Sequence, residues 1–322
     1  MNLPASPPTP VDIYTAAARI APFAHVTPVL TARSLDADSD ARLCFKAEHL
    51  QRCGAFKFRG ACNAVFALAE AEAARGVVTH SSGNHGAALA LAARLRGIAC
   101  HVVVPEGAVA SKVAAITRQG AILHRCAPTI TAREQTCAQV QAATGASLVH
   151  PYTHPQVIAG QGTAALELLT ARPTLDALVV PLGGGGLAAG SLLAIRALQR
   201  DCVLYLAEPA GAADGARSFA SGRLDHDFTP DTVCDGLCGT LGAINFDLLR
   251  HHVAQVLTVD DADTLAAQRL LLTRLKQLVE PSSAIALAAV LTHRETFAGR
   301  RVGIVLSGGN VDLAGLAGLA QA

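Results

Sequence analysis

The apolar positions along the chain fall into alternating helices and strands. After a Pro-rich tail over residues 1–10, residues 11–24 carry Ile13, Ala17, Ile20 and Ala21 at helical spacing. Thr27-Pro28-Val29-Leu30 reads as extended, because proline steers its predecessor away from the helix. A strand over 43–48 leads to an Ala-rich helix over 60–74. From Gly76 the alternation becomes regular, with strands at 77–79, 98–104, 121–126 and 147–149 and helices at 87–96, 111–119 and 130–143. It resumes with helix 157–170, strand 176–181, helix 187–198 and strand 202–207. Residues 211–247, rich in Gly, Asp and Thr, read as irregular. A strand at 255–259, helices over 261–279 and 282–291 and a strand at 301–306 complete the pattern. Strands and helices alternating across short connections predict an α/β fold of parallel sheets covered on both faces.

Length and composition fit that pattern. A chain of 322 residues predicts two domains, or one domain with a large insertion. Hydrophobic residues make up 51% and aromatics only 4%, with no Trp, so the core must be Ala, Val, Leu and Ile. The formal net charge is +1 with no basic run, and no nucleic-acid partner is expected. Charge interrupts every apolar stretch well before the ~20 residues of a membrane span. Residues 2–10 carry four prolines and no apolar segment, unlike a signal peptide. Nine scattered cysteines without a C-x-x-C pair fit reduced thiols in a cytoplasmic enzyme. Cys234 and Cys238 are spaced as a metal-binding pair, but no second pair accompanies them.

Four short stretches carry candidate chemistry. Residues 54–61 read Gly-Ala-Phe-Lys-Phe-Arg-Gly-Ala, with Lys57 between Phe56 and Phe58. An apolar setting lowers a lysine pKa and leaves an amine able to condense with an aldehyde; the same octapeptide also describes a surface Lys-Arg pair opening a helix. Ser81-Ser82-Gly83-Asn84-His85-Gly86, the run Gly183-Gly184-Gly185-Gly186 and Ser307-Gly308-Gly309-Asn310 each follow a strand. In open α/β sheets, ligands bind at such carboxyl ends. The glycine run opens a helix, where free amides favour a phosphate. A dinucleotide fingerprint is the rival, but it would stand near a first strand with an acidic residue ~20 positions on. Here the run is late, and Glu208 heads a different motif.

Together and in this order, these stretches resemble the fold-type II pyridoxal-phosphate (PLP) enzymes, which share the tryptophan synthase β-like fold. The likeness is greatest to the serine/threonine dehydratase and serine racemase branch, and it runs from about Ile13 to Asp312. The resemblance implies two open parallel-sheet domains with the cofactor in the cleft: residues 1–75 and 147–322 as the large PLP-binding domain, and 76–146 as a small inserted domain. It implies Lys57 as the residue that bonds PLP and moves the α-proton, with Ser82 as a second acid/base on the opposite face; Ser82 otherwise binds the substrate carboxylate or caps the following helix. Phe56, Asn84, the Gly183–Gly186 loop, Gly236 and Ser307 would hold the cofactor. Ser307 would face the pyridine nitrogen and leave the ring essentially neutral, which suits elimination and racemisation. Ser81, Ser82, Gly83, His85, Arg133 and Tyr152 would line the substrate, His85 reading as a structural histidine more than as a base. The family's divalent-cation site maps onto Glu208, the Ala212 carbonyl and Asp214, open to Mg²⁺, Mn²⁺ or Ca²⁺. A homodimer is the family expectation.

The resemblance therefore implies a PLP-dependent ammonia-lyase that converts a β-hydroxy amino acid, serine or threonine by default, to a 2-oxo acid and ammonia. Serine racemase is the close alternative, and hydroxyaspartate or phenylserine dehydratase a further one; a non-catalytic PLP-binding protein is a distant one. The chain departs from the family pattern at Ala87 and Gln119, where nucleotide-activated racemases carry Gln and Tyr. It also departs at His150-Pro151-Tyr152-Thr153-His154-Pro155, where Tyr152 and His154 bear on which side chain is accepted. No regulatory domain follows residue 322, so feedback control of the biosynthetic threonine dehydratase type is not expected.

Overall fold

The computed structural model describes residues 6–227 and 229–312. Helix α1 (Pro10–Ile20) starts where Asp12 accepts bonds from Thr9 N and Oγ1, both at 2.7 Å, and Pro10 fills the first turn. Strand β1 (Val29–Leu30), helix α2 (Arg33–Ser39) and strand β2 (Arg42–Ala47) lead through two 3-10 turns to α3 (Lys57–Ala67) and the single-turn α4 (Glu70–Ala73). Next come β3 (Val77–His80), α5 (Asn84–Arg96), β4 (Cys100–Pro105), α6 (Ala110–Arg118), β5 (Ile122–Cys126), α7 (Ile130–Thr144) and β6 (Ser147–Leu148). The chain continues as α8 (Pro155–Ala171), β7 (Ala177–Pro181), α9 (Gly186–Ala197), β8 (Val203–Pro209), α10 (Asp214–Ser221), α11 (Ala243–Leu249) and β9 (Val253–Val259). It closes with α12 (Asp261–Leu270), α13 (Pro281–Thr292), α14 (Arg294–Phe297) and β10 (Arg301–Leu306).

Two sheets result. One has six strands in the order β1-β2-β10-β7-β8-β9, parallel except for β1 against β2. The other has four parallel strands, β5-β4-β3-β6. Every residue of β4 and β7 is buried, as expected of strands covered on both faces. The α/β architecture with parallel sheets is therefore the one the alternation predicts. The four-stranded sheet reaches beyond residues 76–146, since β6 pairs Ser147 with Val77, and Phe58, Ala61, Cys62 and Val65 of α3 pack into its core. No helix among the described residues is long and apolar enough to cross a membrane.

Three expectations are corrected. The helix placed over 60–74 begins at Lys57 and ends at Ala67, because Leu68 turns extended. The segment 211–247 holds α10 and the start of α11. The single helix over 261–279 stops at Leu270 and passes through a π-turn over Leu271–Leu275 to Lys276, which is left-handed at φ 63°. Pro281 then keeps Glu280 extended.

Two features fix α3, and hence Lys57. Helix α8 lies almost backbone to backbone with α3 and α9: a Cβ at Gly160 would stand 2.6 Å from Gly60 Cα, and one at Gly162 2.4 Å from the Gly190 oxygen. Close by, Arg59 is fully buried. Its Nε donates to Glu48 Oε2 at 2.7 Å and its Nη1 to Glu167 Oε1 at 2.7 Å. Lys46 completes the group by donating to Glu167 Oε2 at 2.5 Å, so two cations meet two carboxylates. Burial opposes the charge on Glu48, but Arg59 and Thr27 outweigh it and hold the carboxyl below its ordinary value. Removing one member of such a group strands the others. Arg59→Met is expected to destabilise the fold by about 3–5 kcal/mol, read as a lower urea midpoint; a change under about 1 kcal/mol would deny the network this role.

Candidate active site

Lys57 is the first residue of α3, and Nζ donates to the Pro151 oxygen at 3.1 Å. The Phe56 ring centroid lies 5.2 Å from the amine. The side chain is open only in part, and burial pushes its pKa down to about 8, with Glu280 pulling the other way. An amine so placed is unprotonated in about a tenth of molecules at pH 7, roughly a hundredfold more than an exposed lysine.

Pro151 leads directly to the glycine loop. The Tyr152 ring packs on Gly184, where a Cβ would lie 2.3 Å from the ring. Gly185 is left-handed at φ 86° and precedes α9, whose first amides point into the loop. Asn245 donates from Nδ2 to the Tyr152 oxygen at 2.9 Å and to the Gly184 oxygen at 2.6 Å, tying the two segments together. Leu237, Tyr152 and Asn245 press on this turn so closely that a Cβ at Gly183, Gly184, Gly185 or Gly186 would meet one of them at 3.0 Å or less, and a bare backbone of this kind at a helix start fits a phosphate held by amides.

The Ser307 turn closes on the same place. Phe56 N donates to the Ser307 oxygen at 3.0 Å. Ser307 is buried, with Oγ 3.5 Å from the Ser282 oxygen. Ser282 Oγ in turn accepts from Gly236 N at 2.9 Å. Asn84 donates from Nδ2 to both oxygens of Glu280, at 2.9 and 3.2 Å. Its own Oδ1 accepts from Asn310 Nδ2 at 2.8 Å. Burial raises Glu280 to about 7, with Asp235 adding to the rise and Asn84 and Lys112 opposing it. Thus Phe56, Lys57, Asn84, the glycine loop, Gly236 and Ser307 are brought to one cleft.

The remaining candidates lie along one wall. Helix α5 has Gly83 at its N-cap and no side-chain cap, so Ser82 is not spent there. Ser81 Oγ accepts from Gly83 N at 3.3 Å. A Cβ on Gly83 would meet nothing within 4 Å, so the turn is open. His85 is buried, with Nε2 3.2 Å from the Val149 oxygen. Burial and then Lys57 hold it well below its ordinary value, so it is neutral. His150 stacks edge-on with Tyr152 at 4.6 Å and His80 at 5.2 Å. Burial, His80, Lys57 and His154 push His150 down to about 3. Arg133 follows this row: its charge acts on His80, and its Nε is buried without a hydrogen-bond partner.

Glu208 ends β8 as a buried carboxylate. It accepts from Gly215 N at 2.9 Å and Ala216 N at 2.7 Å. Asp214 accepts from Leu241 N at 2.8 Å through one oxygen, while the other, Oδ1, is buried without a partner. Burial and then Asp214, against those amides, raise Glu208 to about 8. Among the described residues no three His, Cys, Asp or Glu side chains form a metal-binding group; a cation here would rely on the Ala212 carbonyl as well.

Sequence reasoning missed Glu280 and Ser282. The available signal was Glu280-Pro281-Ser282-Ser283, an acid at the mouth of a helix that is apolar all round. Glutamate is a poor N-cap, and its carboxylate serves Asn84 instead.

A desolvated lysine, a glycine loop at a helix start and a Ser-Gly-Gly turn at the carboxyl ends of parallel strands define a pyridoxal-phosphate enzyme. Residues 20–308 match the family model described as "Pyridoxal-phosphate dependent enzyme", and the chain belongs to that family. It is 46% identical over 306 residues to a β-hydroxyaspartate dehydratase of Paracoccus denitrificans, covering 95% of this chain and 97% of that one. It is 45% identical to an L-threo-3-hydroxyaspartate ammonia-lyase of Saccharomyces cerevisiae (95% and 94% covered). It superposes on the structure of maize serine racemase with a TM-score of 0.95 at 43% identity, covering 98% of each chain.

The shift on Lys57 gives a direct check. In cofactor-free protein, the rate of Lys57 acylation is expected to rise with a midpoint near pH 8, against about 10.4 for an ordinary lysine. A midpoint above 10 would contradict the desolvated site.

Proposed function

We propose that the protein is a PLP-dependent ammonia-lyase that converts a 3-hydroxy-2-amino acid to a 2-oxo acid and ammonia, with 3-hydroxyaspartate favoured over serine and threonine. The observation that carries the lyase reading is the Lys57 amine poised near neutrality beside Phe56, joined through Pro151 and Tyr152 to the glycine loop. Hydroxyaspartate is moved ahead of serine and threonine by relatives named for it, with Arg133, whose charge acts on His80 beside His150 and Tyr152, as the cation for a second carboxylate.

When bound, PLP supplies an electron sink for the charge left on Cα. The glycine-loop amides would hold its phosphate, Ser307 would offer its pyridine nitrogen a neutral hydroxyl, and Asn84 would contribute an amide group. Lys57, unprotonated, takes the α-proton at Nζ and holds it on its own face of the substrate. Ser81 and Gly83 bind the α-carboxylate at the open turn before α5. The β-hydroxyl leaves as water, taking up one proton for the one Lys57 removed, and hydrolysis of the resulting enamine by a second water gives the 2-oxo acid and ammonia. Racemisation is the second reading: Ser82, free of a capping role, can return a proton from the opposite face.

We also read Glu208, the Ala212 carbonyl and Asp214 as a Mg²⁺, Mn²⁺ or Ca²⁺ site. Two buried carboxylates, both pushed up by burial and one with an unpartnered oxygen, suit a hard cation. The two sheets are read as two lobes, the smaller extending beyond 76–146 to include β6. A homodimer completes the proposal, and sedimentation at micromolar concentration tests it.

Release of 2-oxo acid from a panel of 3-hydroxy-2-amino acids tests the substrate. Turnover is expected to be greatest with a 3-hydroxyaspartate isomer. Arg133→Ala should raise KM for it by about tenfold or more while leaving KM for serine within about twofold. Equal losses on both substrates would overturn the role of Arg133. EDTA is expected to lower the melting temperature of wild-type protein, with Mg²⁺ or Ca²⁺ restoring it. Glu208→Gln should abolish that response, and a wild type indifferent to EDTA would remove the cation site.

A further inference from the structure

Glu280 stands at the N-terminus of α13 without capping it. It is held there by its own N–H, which donates to the Gly308 oxygen at 3.0 Å, and by the Asn310 backbone N–H. Gly308 leaves it room, since a Cβ at that position would lie 2.6 Å from Glu280 Oε1. The carboxylate is almost fully enclosed, 4% exposed, and the side chain it meets is Asn84.

A neighbouring contact removes an ambiguity in Asn84. An amide can present either its oxygen or its nitrogen to a neighbour, but a backbone carbonyl only accepts. Asn310 therefore turns Nδ2 to the Cys53 oxygen at 2.7 Å and, with it, to Asn84 Oδ1 at 2.8 Å, which leaves the Asn84 nitrogen facing Glu280. Glu280 is also the one group whose charge raises Lys57 against its desolvation.

We propose that Glu280 is a positioning residue of the site: its carboxylate on one side and Asn310 on the other fix which way the Asn84 amide faces beside the cofactor pocket. The inference rests on the family's cofactor and concerns groups the family match does not assign. The other charges facing Glu280 and Lys57 are Asp235 and Lys112, which act on Glu280, and His85 and His150, which sense Lys57 and are held neutral.

Glu280→Leu removes the acceptor that Asn84 faces, whereas Glu280→Gln still offers it an amide oxygen. Two readouts are taken: the Kd for added PLP and the pH midpoint of the visible band that appears with it. In Glu280→Leu the Kd is expected to rise by about tenfold or more and the midpoint to shift by about one pH unit, while Glu280→Gln should lie closer to wild type in Kd. Glu280→Ala provides a second variant without an acceptor should Glu280→Leu fail to fold. Both values equal to wild type in a folded variant without an acceptor would overturn the proposal, and so would a Glu280→Gln as impaired in Kd as Glu280→Leu. A wild type that binds no PLP would overturn the cofactor reading and the inference with it, a result distinct from the other two.

Discussion

The removal of one lysine amine from bulk water governs the arrangement of this molecule. A charged ammonium in a largely enclosed site is unfavourable, and a protein can relieve that by deprotonation or by a full ion pair. Here the first route is taken part of the way. Lys57 is pushed down to about 8, its nearest acceptor is the Pro151 carbonyl, and Glu280 acts on it only as a moderating charge. An amine in this state is both nucleophile and base, and the chemistry follows from that.

The surroundings keep the balance from tipping. His85 and His150 sense the Lys57 charge and stay neutral, so they add no competing cation. The strong ion pairs are placed elsewhere, on Arg59, Glu48, Glu167 and Lys46, two residues along α3 and across to α8. That network fixes the backbone that carries Lys57 without saturating the amine itself. Separating a rigid, fully paired anchor from a deliberately underpaired functional group lets one helix serve both purposes.

Much of this was legible in the sequence. Period and length gave the strands of both sheets, because buried parallel strands read as short apolar runs between Gly, Pro and polar turns. The residues at the strand ends, Asn84, the glycine loop and Ser307, were legible because each motif is local. What was lost is non-local. Glu280 lies 196 residues from Asn84, and nothing near it in sequence marks the contact. The helix over 261–279 was over-extended because the π-turn and left-handed Lys276 interrupt a still-apolar stretch. The start of α3 was set too late because its anchor, Arg59, depends on Glu48 and Glu167.

The most direct measurement is where the cofactor attaches. The chain has four lysines, at 46, 57, 112 and 276. Borohydride reduction of PLP-loaded protein followed by peptide mass mapping should place the cofactor on Lys57 alone. Attachment at Lys46, Lys112 or Lys276, or no covalent cofactor in protein that has bound PLP, would contradict the account at its centre.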